Sequence, residues 1–149
     1  MQRIPNDLYK KIIENMPICC VDAVVHHDKK VLLVYRTEEP CKDQWWLPGG
    51  RILKNEKLEE AVKRKVLEET GLAVSIEKKF GVYEVMWENG PFGGGVHAVS
   101  VNFLVRPEEG LKIKLDNTSS GYRWVDEAEG DLHDYVKKVL NDSEVFKKK

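Results

Sequence analysis

Hydrophobic and polar residues recur along this chain with two periods, one typical of β-strands and one typical of α-helices. The chain passes from one period to the other at turn residues. Apolar, β-branched runs predict strands at Ile18–His26, Lys30–Tyr35 and Val96–Val105, the first two joined by a short turn. Further extended segments are predicted at Trp45–Leu47, Val74–Glu77, Phe80–Glu88 and Gly121–Val125. Pro and Gly residues separate most of these runs, as is typical of loops.

A second period, near that of an α-helix, predicts three helices. Asp7–Met16 is amphipathic and ends before Pro17, Lys57–Thr70 ends at Gly71, and Asp131–Leu140 closes the chain. Strands and helices interleave, but hairpins are also present. The pattern therefore predicts an α/β fold with a mixed sheet and helices on both faces.

Composition narrows the possible functions only loosely. The chain has 149 residues, a length that predicts one domain over residues 1–149. The sequence contains no internal repeat. A net charge of -1 gives no general attraction to nucleic acid or to a membrane surface. No apolar run reaches the roughly 20 residues of a membrane span, and no secretory signal opens the chain, so we expect a cytoplasmic protein. Its three cysteines lack metal-site spacing, which favours free thiols.

The predicted helix at Lys57–Thr70 carries an acidic residue on its apolar side. At about 100° per residue, Glu69 falls within the stripe made by Leu58, Val62 and Val66. A carboxylate on a buried face is costly unless a cation or donors meet it. A salt bridge from Lys65, one turn earlier, and a divalent metal ion both explain Glu69, and the helix alone does not decide between them.

The segment Gly50–Leu72, GRILKNEKLEEAVKRKVLEETGL, resembles the Nudix box of the Nudix hydrolases. That pattern is Gly, five residues, Glu, seven residues, then Arg-Glu-apolar-any-Glu-Glu-any-Gly-apolar. The fixed charged positions are matched by Glu56, Arg64, Glu68 and Glu69. Lys65 stands where the family usually has Glu. A pattern of this length with one mismatch is specific, and the surrounding chain fits from about Ile18 to Tyr135.

The resemblance implies an α/β/α sandwich that hydrolyses nucleoside diphosphates linked to another group. It assigns Mg²⁺, with Mn²⁺ as a substitute, to the Gly50 carbonyl and Glu69, with Glu68 as a further ligand or an orienting group. Glu68, Glu69 and Arg64 are thus the predicted catalytic residues, and Glu56 would brace them with Arg64. The alternative is that Glu56 and Arg64 are ordinary surface charges. Lys65 reverses a charge in this set, so we expect one metal ion rather than several, or loss of activity.

One branch of the family lacks the same Glu, namely the GDP-mannose mannosyl hydrolases, in which water attacks the anomeric carbon of the sugar. This chain resembles them at Val21-Asp22-Ala23, Tyr35-Arg36-Thr37, Trp45-Trp46-Leu47-Pro48-Gly49-Gly50-Arg51 and Tyr122-Arg123-Trp124. The resemblance implies that Arg36 and Arg51 contact the diphosphate and that Asp22 lies near the sugar. A surface position on its strand is the alternative for Asp22. Trp46 is a candidate for stacking on a base or sugar, although one of the adjacent Trp45 and Trp46 should lie in the core.

The chain also departs from this branch, which has a Gln-His pair before Tyr-Arg-Trp. Thr118 and Ser119 stand there instead, and serine is a poor base at neutral pH. His97 and Asp116 are the first substitutes to consider, although a structural role is the commoner one for a His in a strand.

Two classes of function therefore stay open. The first is a Mg²⁺-dependent hydrolase of a nucleotide sugar or another nucleoside diphosphate derivative, with attack at carbon or at phosphorus. The second is a Nudix-fold protein that binds a nucleotide with little turnover. Either is compatible with a homodimer, and neither requires nucleic acid or a membrane. The glycine-rich segment Glu88–Gly95 is either a lid over the ligand or a hairpin tip.

Overall fold

The computed structural model describes residues 3–148 and has three helices and seven strands within that range. The helices are α1 (Asn6–Asn15), α2 (Leu58–Thr70) and α3 (Asp134–Ser143). The strands are β1 (Ile18–His27), β2 (Lys30–Arg36), β3 (Trp45–Trp46), β4 (Gly49–Arg51), β5 (Val74–Trp87), β6 (Val96–Pro107) and β7 (Ser119–Val125). None of these helices has both the length and the apolarity needed to cross a bilayer. A single domain over residues 1–149 stays a prediction, because Met1, Gln2 and Lys149 lie outside the described range.

All seven strands belong to one mixed sheet, and β1 is its central strand. β1 pairs in parallel with β6 and antiparallel with β2 and β4. β5 pairs with the other side of β6, while β3 and β7 both pair with β2. The strand path is therefore β3-β2-β1-β6-β5. A strand in this position contacts elements on both faces, so side chains of β1 reach two different layers.

Two hydrophobic cores lie on opposite faces of the sheet. On one face α2 packs its fully buried Val62 and Val66 with Phe103 and other residues of the sheet. On the other face α3 packs Val139 and Leu140 with a second set of sheet residues. Because both faces are covered, the centre of β1 is continuously apolar apart from one polar residue. The layers confirm the predicted α/β class and the α/β/α sandwich.

Strand β5 differs from the prediction, which divided it into two segments. It runs unbroken from Val74 to Trp87 beside β6, with register shifts at Ile76/Lys78 and Lys79/Gly81. An extra residue at a bulge interrupts the alternation of faces, which explains why the pattern resembled two strands.

Two further boundaries also differ. Gly49 and Gly50, predicted to end an extended segment, themselves form β4 beside β1. α3 begins at Asp134 rather than Asp131, because the His133 ring accepts a hydrogen bond from the Tyr135 N–H and caps the helix. Helix α1 has no buried residue, and Leu8 on its predicted apolar side is half exposed.

Candidate active site

Gly49 lies beside both of the buried acidic side chains in residues 3–148, which are Asp22 and Glu69. Its N–H donates a hydrogen bond of 2.8 Å to Glu69 Oε1, and it faces Asp22 in the β1–β4 pair. A Cβ at position 49 would overlap Asp22 Oδ1 and the Val21 carbonyl, so only glycine fits. This close approach brings a carboxylate of the sheet and one of helix α2 to the same place.

Glu69 lies on the inner face of α2, as the helical pattern predicted, and its residue exposure is 3%. Burial raises the pKa of its carboxyl group to about 7, while the nearby Lys65 ammonium and the Gly49 N–H oppose that rise. The Lys65 Nζ is 3.8 Å from Glu69 Oε2, which is too long for a tight ion pair. Glu69 is therefore a buried carboxylate with incomplete compensation, the condition that a cation would relieve.

Arg64 joins the loop before α2 to the helix itself. Its Nε and Nη2 donate to the two Glu56 oxygens at 2.7 and 3.0 Å, and Nη2 also donates to the Arg51 carbonyl at 3.0 Å. Its Nη1 contacts both Glu68 oxygens at 3.2 and 3.3 Å. The pKa of Glu56 is lowered, mainly by its hydrogen bond from Arg64. These contacts have the geometry of the predicted brace between Glu56 and Arg64.

Lys65, the residue that departs from the box, lies between the two consecutive carboxylates of α2. Its Nζ is 3.4 Å from Glu68 Oε2 and 3.8 Å from Glu69 Oε2. Its stem covers Gly50 so closely that a Cβ there would come within 2.6 Å of Lys65 Cε. Only 18% of the Lys65 side chain is exposed. The ammonium group thus lies beside Gly50, Glu68 and Glu69, the three residues that the resemblance assigns to a metal ion.

Asp22 anchors a buried hydrogen-bond network between the sheet and α3. Its Oδ2 accepts from Ser100 Oγ at 2.7 Å and from Tyr135 Oη at 2.6 Å, and Asn102 Nδ2 donates to Tyr135 Oη at 2.9 Å. Burial raises the pKa of Asp22 to about 6 against these two hydrogen bonds, and burial also raises the pKa of Tyr135. Asp22 is only 7% exposed, so the alternative of a surface carboxylate is wrong.

A cavity of about 200 Å³ lies over these groups. Six of the predicted site residues line it, namely Asp22, Arg36, Trp46, Gly50, Arg51 and Glu69, and Lys65 joins them. Arg64 and Glu68 are not among the lining residues, and Glu68 has 38% of its side chain exposed. A cavity of this size suits a sugar ring or a diphosphate, whereas a whole nucleotide derivative would extend beyond it.

The two predicted phosphate-binding arginines differ in how they are held. Arg36 Nε donates to the Pro40 carbonyl at 2.8 Å. The Arg51 guanidinium stacks on the Tyr9 ring of α1 at 4.4 Å, and its buried Nη1 has no hydrogen-bond partner within residues 3–148. A buried guanidinium nitrogen without an acceptor is costly, so the site has an unused donor for an anion.

The aromatic residues confirm that Trp45 and Trp46 face opposite ways. Trp46 is buried and stacks on Tyr135 at 5.2 Å with an interplanar angle of 17°. Trp45 is half-buried, with the Arg123 guanidinium 4.4 Å over its ring. Trp46 reaches the cavity, but Tyr135 covers one of its faces, which leaves less of the ring for stacking on a ligand.

Of the two substitutes considered for the missing His, one is wrongly placed. His97 is bonded to Glu84 at 3.1 Å and is not among the residues that line the cavity. Asp116 instead holds Thr118, accepting from its N–H at 3.0 Å and from its hydroxyl at 2.6 Å. Thr118 does line the cavity, so Asp116 is connected to the site indirectly, by its hydrogen bonds to Thr118.

Several cavity residues were not found from the sequence. Ser100 could have been, because a polar residue at an alternating position of the apolar strand β6 indicates a hydrogen-bonded interior. Tyr9, on α1, gave no such signal. Tyr135 does not line the cavity but bonds Asp22, and it gave no signal either, because it lies far along the chain from Asp22. Tyr9 also contacts Phe92 of the glycine-rich segment edge-on at 6.0 Å, which places that segment against α1.

The donor set fits one hard divalent cation. No three His, Cys, Asp or Glu side chains within residues 3–148 lie close enough together to hold a metal by themselves. Glu68, Glu69 and the Gly50 carbonyl would supply up to three of the roughly six oxygens that Mg²⁺ requires, and water or phosphate oxygens would complete the set. The partly compensated Glu69 carboxylate is the observation that supports this fit.

The α/β/α sandwich and its carboxylate-bearing helix α2 are the features that the resemblance to the Nudix hydrolases predicted. The family model of the NUDIX domain matches residues 17–144, so the chain belongs to the Nudix hydrolase family.

Relatives cover most of the chain. It is 33% identical over 141 residues to the low-salt glycan biosynthesis protein Agl8 of Haloferax volcanii, covering 93% of this chain and 90% of Agl8. It is 36% identical over 99 residues to an ADP-ribose pyrophosphatase of Methanocaldococcus jannaschii, covering 66% of this chain and 56% of the relative. Among solved structures, the MutT protein of Methanosarcina mazei has a TM-score of 0.70 at 24% identity, covering 90% and 99% of the two chains. That last likeness supports the fold alone.

Proposed function

We propose that this protein is a Mg²⁺-dependent hydrolase of a nucleoside diphosphate linked to another group, preferably a nucleotide sugar such as GDP-mannose. The observation that carries the proposal is the cavity that combines three cationic side chains, Arg36, Arg51 and Lys65, with the buried carboxylate of Asp22. The cations suit a diphosphate, and Asp22 suits a group with hydroxyl donors. The similarity to a protein named for glycan biosynthesis supports a sugar-bearing substrate.

The roles of the residues follow from their contacts. Arg36 and Arg51 would bind oxygens of the diphosphate, and the unpaired Nη1 of Arg51 would gain an acceptor. Glu69 and the Gly50 carbonyl would hold Mg²⁺, with Glu68 as an orienting group, and the bound ion would offset the charge of the diphosphate. Arg64 does not line the cavity, so we assign it to positioning Glu68 and Glu56 rather than to contact with the substrate.

Water would attack the anomeric carbon, breaking its bond to the diphosphate oxygen. Such a reaction develops positive charge on the sugar, so it needs little help from a base when the departing diphosphate is well neutralised. The three cations of the cavity would provide that neutralisation. This route is compatible with a site in which His97 lies away from the cavity.

A second candidate is a pyrophosphohydrolase in which water attacks phosphorus. The similarity to an ADP-ribose pyrophosphatase favours it. A third is a nucleotide-binding protein with little turnover, which the charge reversal at Lys65 favours. A cytoplasmic location and a homodimer stay predictions, and sedimentation of the purified protein tests the latter.

Hydrolysis in ¹⁸O-water separates these candidates. GDP-mannose, related nucleotide sugars and ADP-ribose would be incubated with Mg²⁺, and the products analysed by mass spectrometry. We expect label in the free sugar and none in the nucleoside diphosphate. Label in a nucleoside monophosphate or a sugar phosphate would instead establish attack at phosphorus. Tight binding without turnover of any compound would leave the binding protein as the remaining candidate.

A further inference from the structure

Lys65 brings a positive charge to a position of the site at which the box pattern has Glu. We propose that its ammonium group is a fixed cation that replaces one divalent ion between Glu68 and Glu69 and contacts the diphosphate of the ligand. The diphosphate part rests on the proposed function, whereas the effect on metal binding does not.

The geometry indicates that the ammonium is held in place while part of its hydrogen-bonding capacity stays free. Its distances of 3.4 and 3.8 Å to the two carboxylates exceed the roughly 2.8 Å of a strong charge-assisted hydrogen bond. Surface lysines are usually mobile, but this side chain is 18% exposed and its stem packs on Gly50. Packing of the stem therefore fixes the position of the charge, and the three N–H donors are not fully engaged by the carboxylates.

The charges around Lys65 indicate that its ammonium takes the place of a divalent ion between Glu68 and Glu69. Glu68 is already bound by Arg64, and within residues 3–148 the Glu69 carboxylate has only Lys65 at 3.8 Å and the Gly49 N–H as partners in an ion pair or hydrogen bond. A divalent ion bridging Glu68 and Glu69 would occupy the same space as the ammonium and would be repelled by it. One ion held by Glu69 and the Gly50 carbonyl, without Glu68, would avoid that conflict. We therefore expect one divalent ion.

The same placement gives Lys65 access to the ligand. Lys65 lines the cavity together with Arg36 and Arg51, so all three cations border one space. A lysine ammonium is a compact charge that suits single phosphate oxygens, whereas each arginine can bind two. Because the lysine is covalently attached, its charge is present even when divalent ions are scarce.

Binding of Mn²⁺ to the free protein, followed by electron paramagnetic resonance, tests the first half of the proposal. We expect one Mn²⁺ in the wild-type protein and in Lys65→Arg, which keeps the charge. Lys65→Met keeps the stem over Gly50 and removes the charge, so we expect about tenfold tighter binding or a second ion. Lys65→Glu, which restores the common box, should bind a second ion.

Calorimetry with methylenediphosphonate, which resists hydrolysis, tests the second half. In EDTA we expect Lys65→Met to bind this diphosphonate at least about tenfold more weakly than the wild type, with Lys65→Arg within about threefold. Melting temperatures of the variants check that each is folded.

Three results would overturn the proposal: two Mn²⁺ ions in the wild type, unchanged Mn²⁺ affinity in Lys65→Met and Lys65→Glu, or unchanged diphosphonate affinity in Lys65→Met. None of them bears on whether the wild-type protein hydrolyses a nucleotide sugar, which the ¹⁸O experiment decides separately.

Discussion

At the scale of single residues, the site depends on close contacts that bring its charged groups together. Gly49 has room only for a hydrogen, and so its backbone can touch Asp22 while donating to Glu69. Lys65 reaches over Gly50 and brings a positive charge to two carboxylates. Two glycines and one long lysine side chain thus bring several charged groups close together. The identity of any one of these residues does not predict this cluster.

Glu69 gives the first prediction at this scale. Glu69→Gln keeps the shape of the side chain and removes the negative charge that would hold Mg²⁺. We expect Mg²⁺-dependent turnover to fall about a hundredfold or more, equal to about 2.7 kcal/mol of transition-state stabilisation. The melting temperature in EDTA should not fall, because the variant has no buried charge to desolvate.

The matched control is Glu59→Gln, an exposed acid on the same helix. It should keep wild-type turnover and stability. Wild-type turnover in Glu69→Gln would show that the metal site has been assigned wrongly.

At the scale of elements, the ion pair between Arg64 and Glu56 ties α2 to the loop before it. Glu56 accepts from Arg64 and from the Leu53 N–H, and Arg64 also holds the Arg51 carbonyl of β4. The Glu56 and Arg64 side chains are 13% and 18% exposed, so water weakens this contact little. The brace therefore fixes the start of the helix relative to the strand that carries Gly50.

Glu56→Gln tests this brace. The variant leaves Arg64 with a neutral partner, and we expect a loss of about 1–3 kcal/mol in the free energy of unfolding at pH 7. The pKa of Glu56 is lowered in the folded protein, so its contribution is present above the unfolded pKa and disappears as the pH falls through the folded pKa. The difference between wild type and variant in urea unfolding should consequently shrink in acid. A constant difference from pH 7 to pH 3 would contradict this explanation.

At the scale of the whole molecule, β1 connects the two helical layers through the site. Asp22, on this strand, bonds Tyr135 of α3 on one side of the sheet, while Gly49 beside it bonds Glu69 of α2. Two carboxyl groups are thus buried where the three layers meet. Their protonation should affect the stability of the entire domain.

The pH dependence of that stability has a definite sign. Burial raises the pKa of Asp22 to about 6 and that of Glu69 to about 7 in the folded protein. A raised pKa contributes stability that is full below the unfolded pKa and is lost as the pH rises through the folded pKa. In EDTA we therefore expect the free energy of unfolding to decrease from about pH 4 to about pH 7, by about 1–3 kcal/mol for each group.

Asp22→Asn provides the comparison, since an amide cannot ionise. Its urea unfolding should lack the part of the decrease that falls between about pH 4 and about pH 6. Added Mg²⁺ should restore stability to the wild type at neutral pH. A wild-type curve in EDTA that stayed flat over this range would show that the buried carboxylates do not control stability. A curve parallel to that of Asp22→Asn would show that Asp22 does not contribute.

Features that depend on neighbours in the sequence were predicted correctly. The helical period placed Val62, Val66 and Glu69 on the inner face of α2, and Gly71 ends that helix in the left-handed conformation. These features follow from a period of about 3.6 residues and from the freedom of glycine, which operate over a few residues. The charge reversal at Lys65 was likewise visible, because it interrupts a local pattern.

Tertiary structure decided the rest, because the partners lie far apart along the chain. Asp22 meets Ser100 and Tyr135 across separations of 78 and 113 residues, and the β1–β6 pairing and the docking of α3 create those contacts. His97 was considered as a base, yet its bond to Glu84 keeps it outside the cavity. The period of a strand shows which side chains share a face, but packing of the layers determines which face covers the site.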